Sequence, residues 1–386
     1  MPFSLYVHVP FCTRTCPYCD FYQVPPGETR EARFVSALLA EAGLASWDTV
    51  LSPAVVETLY WGGGTPSLLS AEAVRTLAGG LAAAFDLSDL REFTVEANPG
   101  EAPPHTLSSL RSAGATRLSL GCQSFQPERL GFLGRLHTPA DSRAGLANAR
   151  QAGFDNVSLD LIFNLPAELP SAGWRADVRE VIALAPEHVS VYGLTLEPRT
   201  AFGHRAARGE LTLPQPETYA DEYLWAASQL EGAGYLHYET SSFARPGRES
   251  IHNRRYWSGE SYLGLGPGAH SLWDGTRWAN VASLERWAVS VLAGHPERDV
   301  DVSSDPSSGY AETLYLGLRS VGGLEASRLR GDPVALERFT HDLRGAALAR
   351  AGSDLIVLTD EGHLVLDEIV ARLMDLETRV LVRPAV

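Results

Sequence analysis

The sequence contains no lysine, so all 32 of its basic side chains are arginine. That absence removes a Schiff-base lysine, a P-loop lysine and a lysine general base from the chemistry open to the chain. Basic charge is scarce as well: 47 acidic residues against 32 arginines leave a net charge of −15. A surface that tracks phosphates needs clustered cations, so no nucleic-acid partner is expected. No apolar run is long enough to span a bilayer, so no integral membrane segment is expected. The opening MPFSLYVHVPFC has no basic stretch ahead of an apolar one, unlike a secretory signal. The expectation is a cytoplasmic protein with reduced thiols. Cysteine is also rare, four residues in all, yet three of them fall between Cys12 and Cys19. In a reducing compartment such crowding points to metal binding or redox chemistry rather than disulfides.

A chain of 386 residues, 45% of them hydrophobic, can bury a large core and divide into two units. Short runs rich in β-branched and aromatic residues alternate with helical patterns. The strand candidates are SLYVHVP (Ser4–Pro10), ETLYWGGG (Glu57–Gly64), EFTVEANP (Glu92–Pro99), RLSLGCQSF (Arg117–Phe125), NVSLDLIFNLP (Asn156–Pro166) and HVSVYGLTLEP (His188–Pro198). Between them, Ser70 with Glu72 and Thr138 with Asp141 predict helix starts, and Gly153 predicts a stop. Six alternations mean parallel β/α units and are too few for a closed eight-fold barrel. The expected fold is therefore α/β, an open partial (β/α)6 barrel over residues 1–235. In such folds chemistry sits where strands end, and Cys12, Gly62 to Thr65, Glu96, Gln123 and Asp160 all fall there.

Beyond Tyr235 the pattern changes. Residues 236–300 are rich in glycine, aromatics and polar groups, and read as a connecting region with an ordered functional loop rather than a helix. From about Asp301 a smaller α+β unit, 301–386, is expected. It has helices near GYAETLYLGLRSV and DPVALERFTHDLRGAALARAG, a hairpin-like LIVLTDEGHLVL and a final helix DEIVARLMDL, a winged-helix-like layout. Nine arginines against fourteen acidic residues give this unit a charge of −5, which argues against DNA.

Cys12, Cys16 and Cys19 follow the first strand with the spacing C-x3-C-x2-C. Zinc ribbons pair two C-x2-C clips, and no second clip is present. Three thiolates on a short loop can hold three corners of a cubane iron–sulfur cluster, whose fourth iron is then left for another ligand. Cys122 lies far along the chain and reads as a small buried apolar residue.

This loop, following strand one of a partial β/α barrel, resembles the radical S-adenosylmethionine (SAM) superfamily. The resemblance implies a [4Fe-4S] cluster on Cys12, Cys16 and Cys19, with SAM chelated at the free iron. The Gly-rich YWGGGTPS stretch is similar to the one that lines the methionyl group there, which maps to Gly63, Gly64 and Thr65. By itself a triple glycine reads as a tight bend. Tyr6 and Tyr18 match residues that pack around SAM or the cluster. Glu96 in TVEANPG, Gln123 in GCQSF, Arg135 in LGRLHT and Asp160 in LDLIFNLP match the oxygen-independent coproporphyrinogen III oxidase-like subgroup. In that subgroup the corresponding residues contact SAM. Without the cysteine loop, Glu96 and Asp160 would read as caps or ion-pair partners, and Arg135 as a surface residue.

Within the subgroup two branches compete. The oxidase branch carries a further cysteine two residues after the third, where this chain has Phe21, and a long N-terminal extension, for which a first strand at residue 4 leaves no room. The other branch consists of heme chaperones and carries an H-N-x-x-Y-W signature, present here as HNRRYW from His252 to Trp257. Membership there implies heme as cargo and a heme-acceptor protein as partner. Histidine is a normal axial ligand of heme iron, Tyr256 and Trp257 offer flat apolar faces, and Arg254 and Arg255 suit propionates. The residues alone favour a plainer reading, in which His252 and Asn253 cap a turn while Tyr256 and Trp257 fill a seam between domains; the family resemblance reverses that preference. In GLGPGAHS, a stretch common to both branches, His270 falls near the SAM site, and His8 reads as an inward structural histidine.

Overall fold

The computed structural model describes residues 2–46, 55–299, 306–352 and 354–381. Six parallel strands form where the sequence places them: β1 (Phe3–Val9), β2 (Val56–Gly63), β3 (Glu92–Ala97), β4 (Arg117–Gln123), β5 (Val157–Phe163) and β6 (His188–Gly193). Each pairs in parallel with the next. The layer of helices outside them comprises α1 (Glu28–Ser46), α2 (Ala71–Ala84), α3 (Pro104–Ser112), α4 (Pro127–Phe132), α5 (Pro139–Gln151), α6 (Ser171–Leu184), α7 (Ala201–Ala207) and α8 (Pro216–Gly232). Local chemistry starts and stops them as expected. The Ser70 hydroxyl accepts from the Ala73 N–H at the head of α2, and Thr138 with Asp141 forms a reciprocal capping box on α5. Gly153, at φ +90°, takes the left-handed conformation just past the end of α5.

The described part of the expected connecting region, residues 236–299, is not a loop. It contributes β7 (Leu236–Glu239), β8 (Ser242–Ala244), β9 (Tyr262–Leu265), β10 (His270–Trp273), β11 (Thr276–Asn280) and β12 (Arg298–Asp299). The sheet order is β12-β11-β10-β9-β1-β2-β3-β4-β5-β6-β8-β7, so this segment extends both edges of the six-stranded array without closing it. β9 pairs in parallel with β1, while β8 pairs antiparallel with β6. The partial barrel is thus open, as the sequence implies, but broader than six strands. The same segment also forms α9 (Ile251–Trp257) and α10 (Leu284–Leu292), so HNRRYW is helical.

Beyond the sheet lies a smaller unit whose expected start at Asp301 falls outside the described residues. Helices α11 (Pro306–Leu318) and α12 (Pro333–Gly345) match the expected ones, and a two-stranded sheet pairs β13 (Leu324–Glu325) with β14 (Leu355–Ile356). The expected hairpin is absent among the described residues. After β14 the chain turns into α13 (Asp360–Leu364), because the Thr359 hydroxyl accepts from the Gly362 N–H and caps a helix. The final helix is α14 (Leu366–Leu381). Leu314, Leu318, Leu343, Ile356, Val370 and Leu373 build this unit's own core. Backbone hydrogen bonds from Thr240 N to Arg319 O (2.9 Å) and from Val321 N to Tyr238 O (3.1 Å) dock it on the barrel.

Candidate functional site at the barrel mouth

Strand register sorts the side chains into two faces. Ser4, Tyr6 and His8 of β1 lie beside Thr58, Tyr60 and Gly62 of β2, and these continue across Glu92, Thr94 and Glu96, then Arg117 and Ser119, then Ser158 and Asp160, then His188 and Ser190. The opposite face carries Leu5, Val7, Trp61, Val95, Leu118, Leu159 and Val189, all buried under the helices. Period-two alternation therefore lines the barrel interior with polar groups and reserves the apolar face for packing.

At the C-terminal ends of the strands sits the cysteine loop. Cys12 N donates to Val24 O (3.0 Å), Cys19 N to Cys16 O (3.1 Å), and Phe202 N at the head of α7 donates to Pro17 O (2.8 Å). The Cys12 thiol contacts the Thr65 hydroxyl at 3.5 Å, and Arg135 Nη1 reaches the Cys16 sulfur at 3.4 Å. Burial pushes the Cys12 thiol up to about 11 and raises that of Cys19 as well. Among the described residues no three His, Cys, Asp or Glu side chains gather around a single ion position. All three thiols are free, and each of Cys12 and Cys19 is close enough to Cys16 to feel its charge. Beside them opens a cavity of about 310 Å³, lined by Cys16, Asn98, Arg135 and His137 among others.

The remaining mouth residues converge on this loop from β2 to β5. Glu96 accepts from the Tyr60 hydroxyl (2.6 Å) and from Gly63 N (3.1 Å). Burial, with Asp160 adding repulsion, moves its carboxyl up to about 7. Asp160 accepts from Ser119 (3.1 Å) and Ser158 (3.1 Å), and burial raises its carboxyl too. Gln123 ends β4 at a register irregularity with φ 64°, and its buried Oε1 has no hydrogen-bond partner among the described residues. Arg135 donates through Nη2 to Gly121 O (2.9 Å) and to Asn98, so much of its fork is spent on the loop. The Tyr6 hydroxyl meets His8 Nδ1 at 3.2 Å, while His8 Nε2 lies 2.8 Å from Tyr22 O. His8 is buried and its imidazole falls to about 4. Tyr18 packs against Phe202 with ring centroids 6.5 Å apart. His270 is exposed at the head of β10, and Cys122 is fully buried on the apolar face.

Sequence reasoning missed Tyr60, Asn98 and Glu92. Asn98 holds Thr65 (Nδ2 to Oγ1, 2.9 Å) and Arg135 together. The signal for Tyr60 was present: it stands two residues before Gly62 on the same strand face.

HNRRYW lies at the other end of the barrel, across the N-terminal ends of the strands. Glu92, the first residue of β3, accepts from Ile251 N (3.0 Å) and His252 N (3.0 Å) and so caps α9, while the Ser250 hydroxyl accepts from Asn253 N (3.3 Å). His252 is 0% exposed. Its Nδ1 meets the Thr58 hydroxyl at 2.8 Å and its Nε2 meets the Tyr256 hydroxyl at 2.8 Å, so neither ring nitrogen is free. Arg255 is committed to Glu57, Glu260 and Pro2 O, which removes it from the groups open to propionates; Arg254 is exposed. Trp257 lies under the Arg319 guanidinium at 3.8 Å, in the seam with the smaller unit. In this conformation the motif packs as barrel floor and seam.

Residues 6–171 match the radical SAM superfamily. Over 97% of this chain and 95% of the relative, the sequence is 37% identical to the heme chaperone HemW of Mycobacterium tuberculosis. It is 34% identical to HemW of Bacillus subtilis over 95% of this chain and 97% of that one. The chain belongs to the HemW family of radical SAM proteins. Among solved structures, the coproporphyrinogen III oxidase HemN of Escherichia coli superposes with a TM-score of 0.76 at 23% identity, covering 96% of this chain and 90% of that one. That likeness establishes the shared fold. Among the described residues no helix is long and apolar enough to cross a membrane.

The HemW-type mouth fits the cofactors the superfamily implies. Gly63 has φ +94°, and a Cβ there would lie 2.3 Å from the His8 ring; one on Gly64 would lie 2.6 Å from Val9 O and Phe11 O. Glycine at both positions therefore lets the end of β2 pack directly on β1 and on the start of the cysteine loop. Gln123 Oε1 adds a buried acceptor in want of a donor, and the three thiols supply the sulfur donors.

Proposed function

We propose that this protein is a heme chaperone that binds heme and passes it to an acceptor protein in the cytoplasm, with no nucleic-acid partner. We further propose a [4Fe-4S] cluster on Cys12, Cys16 and Cys19, and SAM held over Gly63, Gly64 and Thr65 by Glu96, Gln123, Arg135 and Asp160, with Tyr6 and Tyr18 packed around them. When bound, the cluster supplies an open iron for the amino and carboxylate groups of SAM and an electron that can cleave the sulfonium. The chain's own part is positional. Arg135 holds its positive charge on Cys16, Asn98 ties Thr65 to Arg135, and the carboxylates of Glu96 and Asp160 face the polar interior where ribose hydroxyls can donate.

The observation that carries this reading is end-to-end similarity to curated heme chaperones, joined to an intact HNRRYW. The competing reading, oxidative decarboxylation of coproporphyrinogen III, draws on the HemN-like fold. Against it stands Phe21, 66% exposed where the oxidase branch has cysteine. His252 is the proposed axial ligand. Burial and the charges of Arg255 and Arg117 lower its imidazole to about 3, which keeps it in the neutral form that iron requires. Ligation takes Tyr256 off Nε2. The test is anaerobic titration of the cluster-reconstituted protein with heme. A bound-heme spectrum that His252→Ala weakens or shifts supports the reading; conversion of coproporphyrinogen to protoporphyrinogen with SAM and reductant overturns it.

A further inference from the structure

The two proposed sites lie at opposite ends of one barrel, and one side chain spans the distance. On β2, Thr58 and Tyr60 share the inward face. Thr58 holds His252 at the floor (2.8 Å), and Tyr60 donates to Glu96 at the mouth (2.6 Å). The His252 ring packs on the Tyr60 ring with centroids 5.0 Å apart and a 34° tilt. Tyr6 also packs on Tyr60, at 6.0 Å, and Tyr256 lies edge-on to His252 at 4.7 Å. The surroundings are full: His252 is 0% exposed, and Tyr256 is wedged against Tyr262 at 4.5 Å. A porphyrin has no room beside Nε2 unless this stack opens.

We infer that Tyr60 is a positioning residue linking the HNRRYW helix to Glu96, so that heme taken by His252 loosens the acid of the nucleoside site and the two ligands oppose each other. This rests on the function proposed above. Moving His252 and Tyr256 removes one wall of the Tyr60 ring, and the phenol then loses its fixed aim at Glu96. Close packing makes such a shift a change between discrete arrangements rather than a graded one. Thermodynamic linkage makes the opposition mutual: whatever factor heme imposes on nucleoside affinity, the nucleoside imposes on heme affinity.

The test uses the full chain with its cluster reconstituted, S-adenosylhomocysteine as probe, and anaerobic calorimetry with and without one equivalent of heme. In the parent protein, heme raises the dissociation constant of the probe about 10-fold, and the probe weakens heme by the same factor. Tyr60→Phe keeps the ring but deletes its hydroxyl. It weakens the probe about 5-fold without heme, as expected for one lost hydrogen bond, and reduces the heme effect to less than about 2-fold. Iron content is read alongside and stays at the parent value, and the melting temperature falls by no more than about 2–4 °C, the cost of one buried hydrogen bond. The inference is overturned if heme binds with a His252-dependent spectrum yet leaves probe affinity unchanged. It is also overturned if heme weakens the probe equally in Tyr60→Phe, which would mean direct competition for one site. Failure of the parent protein to take up heme or probe is a different result and sinks the functional reading itself.

Discussion

Glu92 gives the sharpest measure of how the HNRRYW helix is held. Its carboxylate is 3% exposed and accepts from Ile251 N and His252 N, both at 3.0 Å, and from the Ser250 hydroxyl at 3.4 Å. Helix α9 has only seven residues, too short to persist by its own propensity. Glu92→Ala leaves two backbone N–H groups without acceptors, each costing about 1–3 kcal/mol. Removal of a buried charge offsets part of this, giving a net loss of about 3 kcal/mol. Glu92→Gln keeps one acceptor oxygen and costs about half as much. Denaturant unfolding followed by tryptophan fluorescence reads the difference, and a heme titration reads its consequence, since His252 leaves its place when α9 frays. An alanine variant within about 0.5 kcal/mol of the parent would refute this account of the floor.

Three further outcomes follow from the geometry. Cys16→Ala abolishes the four-iron chromophore and the reconstituted iron and sulfide, while the far-UV spectrum stays the same, because Cys16 belongs to an external loop rather than to the core. Gly63→Ala abolishes nucleoside binding and costs about 2 kcal/mol or more, since φ +94° and the His8 ring at 2.3 Å both exclude a Cβ; binding and stability equal to the parent would discredit the close packing of β2 on His8. Stability also depends on pH with a definite sign. Burial lowers His8 and His137 to about 4, His252 and His363 to about 3, and His188 well below the usual range, so these five take up protons on unfolding. Burial raises Glu41 and Glu96 to about 7, and these two release protons over the same window; buried Asp160 and Asp177 act in the same direction. The histidines prevail by about one to three protons, so stability rises from pH 4.5 to 6.5 by roughly 1.4 kcal/mol per pH unit for each net proton. A flat or falling curve from urea melts in that window would contradict the burial of these rings.

The parts of the fold that are legible in sequence are those decided locally. Six strand cores, the Ser70 cap, the Thr138 box and the Gly153 stop each depend on residues within a turn of one another, and all stand where the sequence places them. The cysteine loop is legible for the same reason, because three thiols in eight residues need no partner from elsewhere to be noticed. Residues 236–300 are different. Their strands owe their existence to the edges of a sheet laid down by other segments, and β7, β8 and β12 have four, three and two residues, too few for alternation to be read. The helix of HNRRYW has a local cap in Ser250, a signal the sequence reading passed over, but the carboxylate that takes its first N–H groups is Glu92, some 160 positions away in sequence.

The same non-locality explains why a signature can be right about family and silent about geometry. A histidine followed by Asn, two arginines, Tyr and Trp reads alike whether its ring faces a porphyrin or a threonine. Which it faces depends on strand register. Had β2 slipped by one residue, Leu59 and Trp61 would line the barrel interior, and His252 would meet an apolar side chain with nothing to fix its tautomer. In the register observed, Thr58 engages Nδ1 and Tyr256 covers Nε2. That is the order a heme ligand needs: one nitrogen held by the scaffold, the other guarded by a group that can leave. Release of the guard, rather than the basicity of the imidazole, then sets when the floor opens. Tyr256→Phe removes the hydroxyl that covers Nε2 but not the ring that fills the space. Stopped-flow mixing should therefore show heme capture faster by a few-fold with the final spectrum unchanged. Slower capture, or a spectrum lacking the histidine-ligated form, would place the ligand on another side chain.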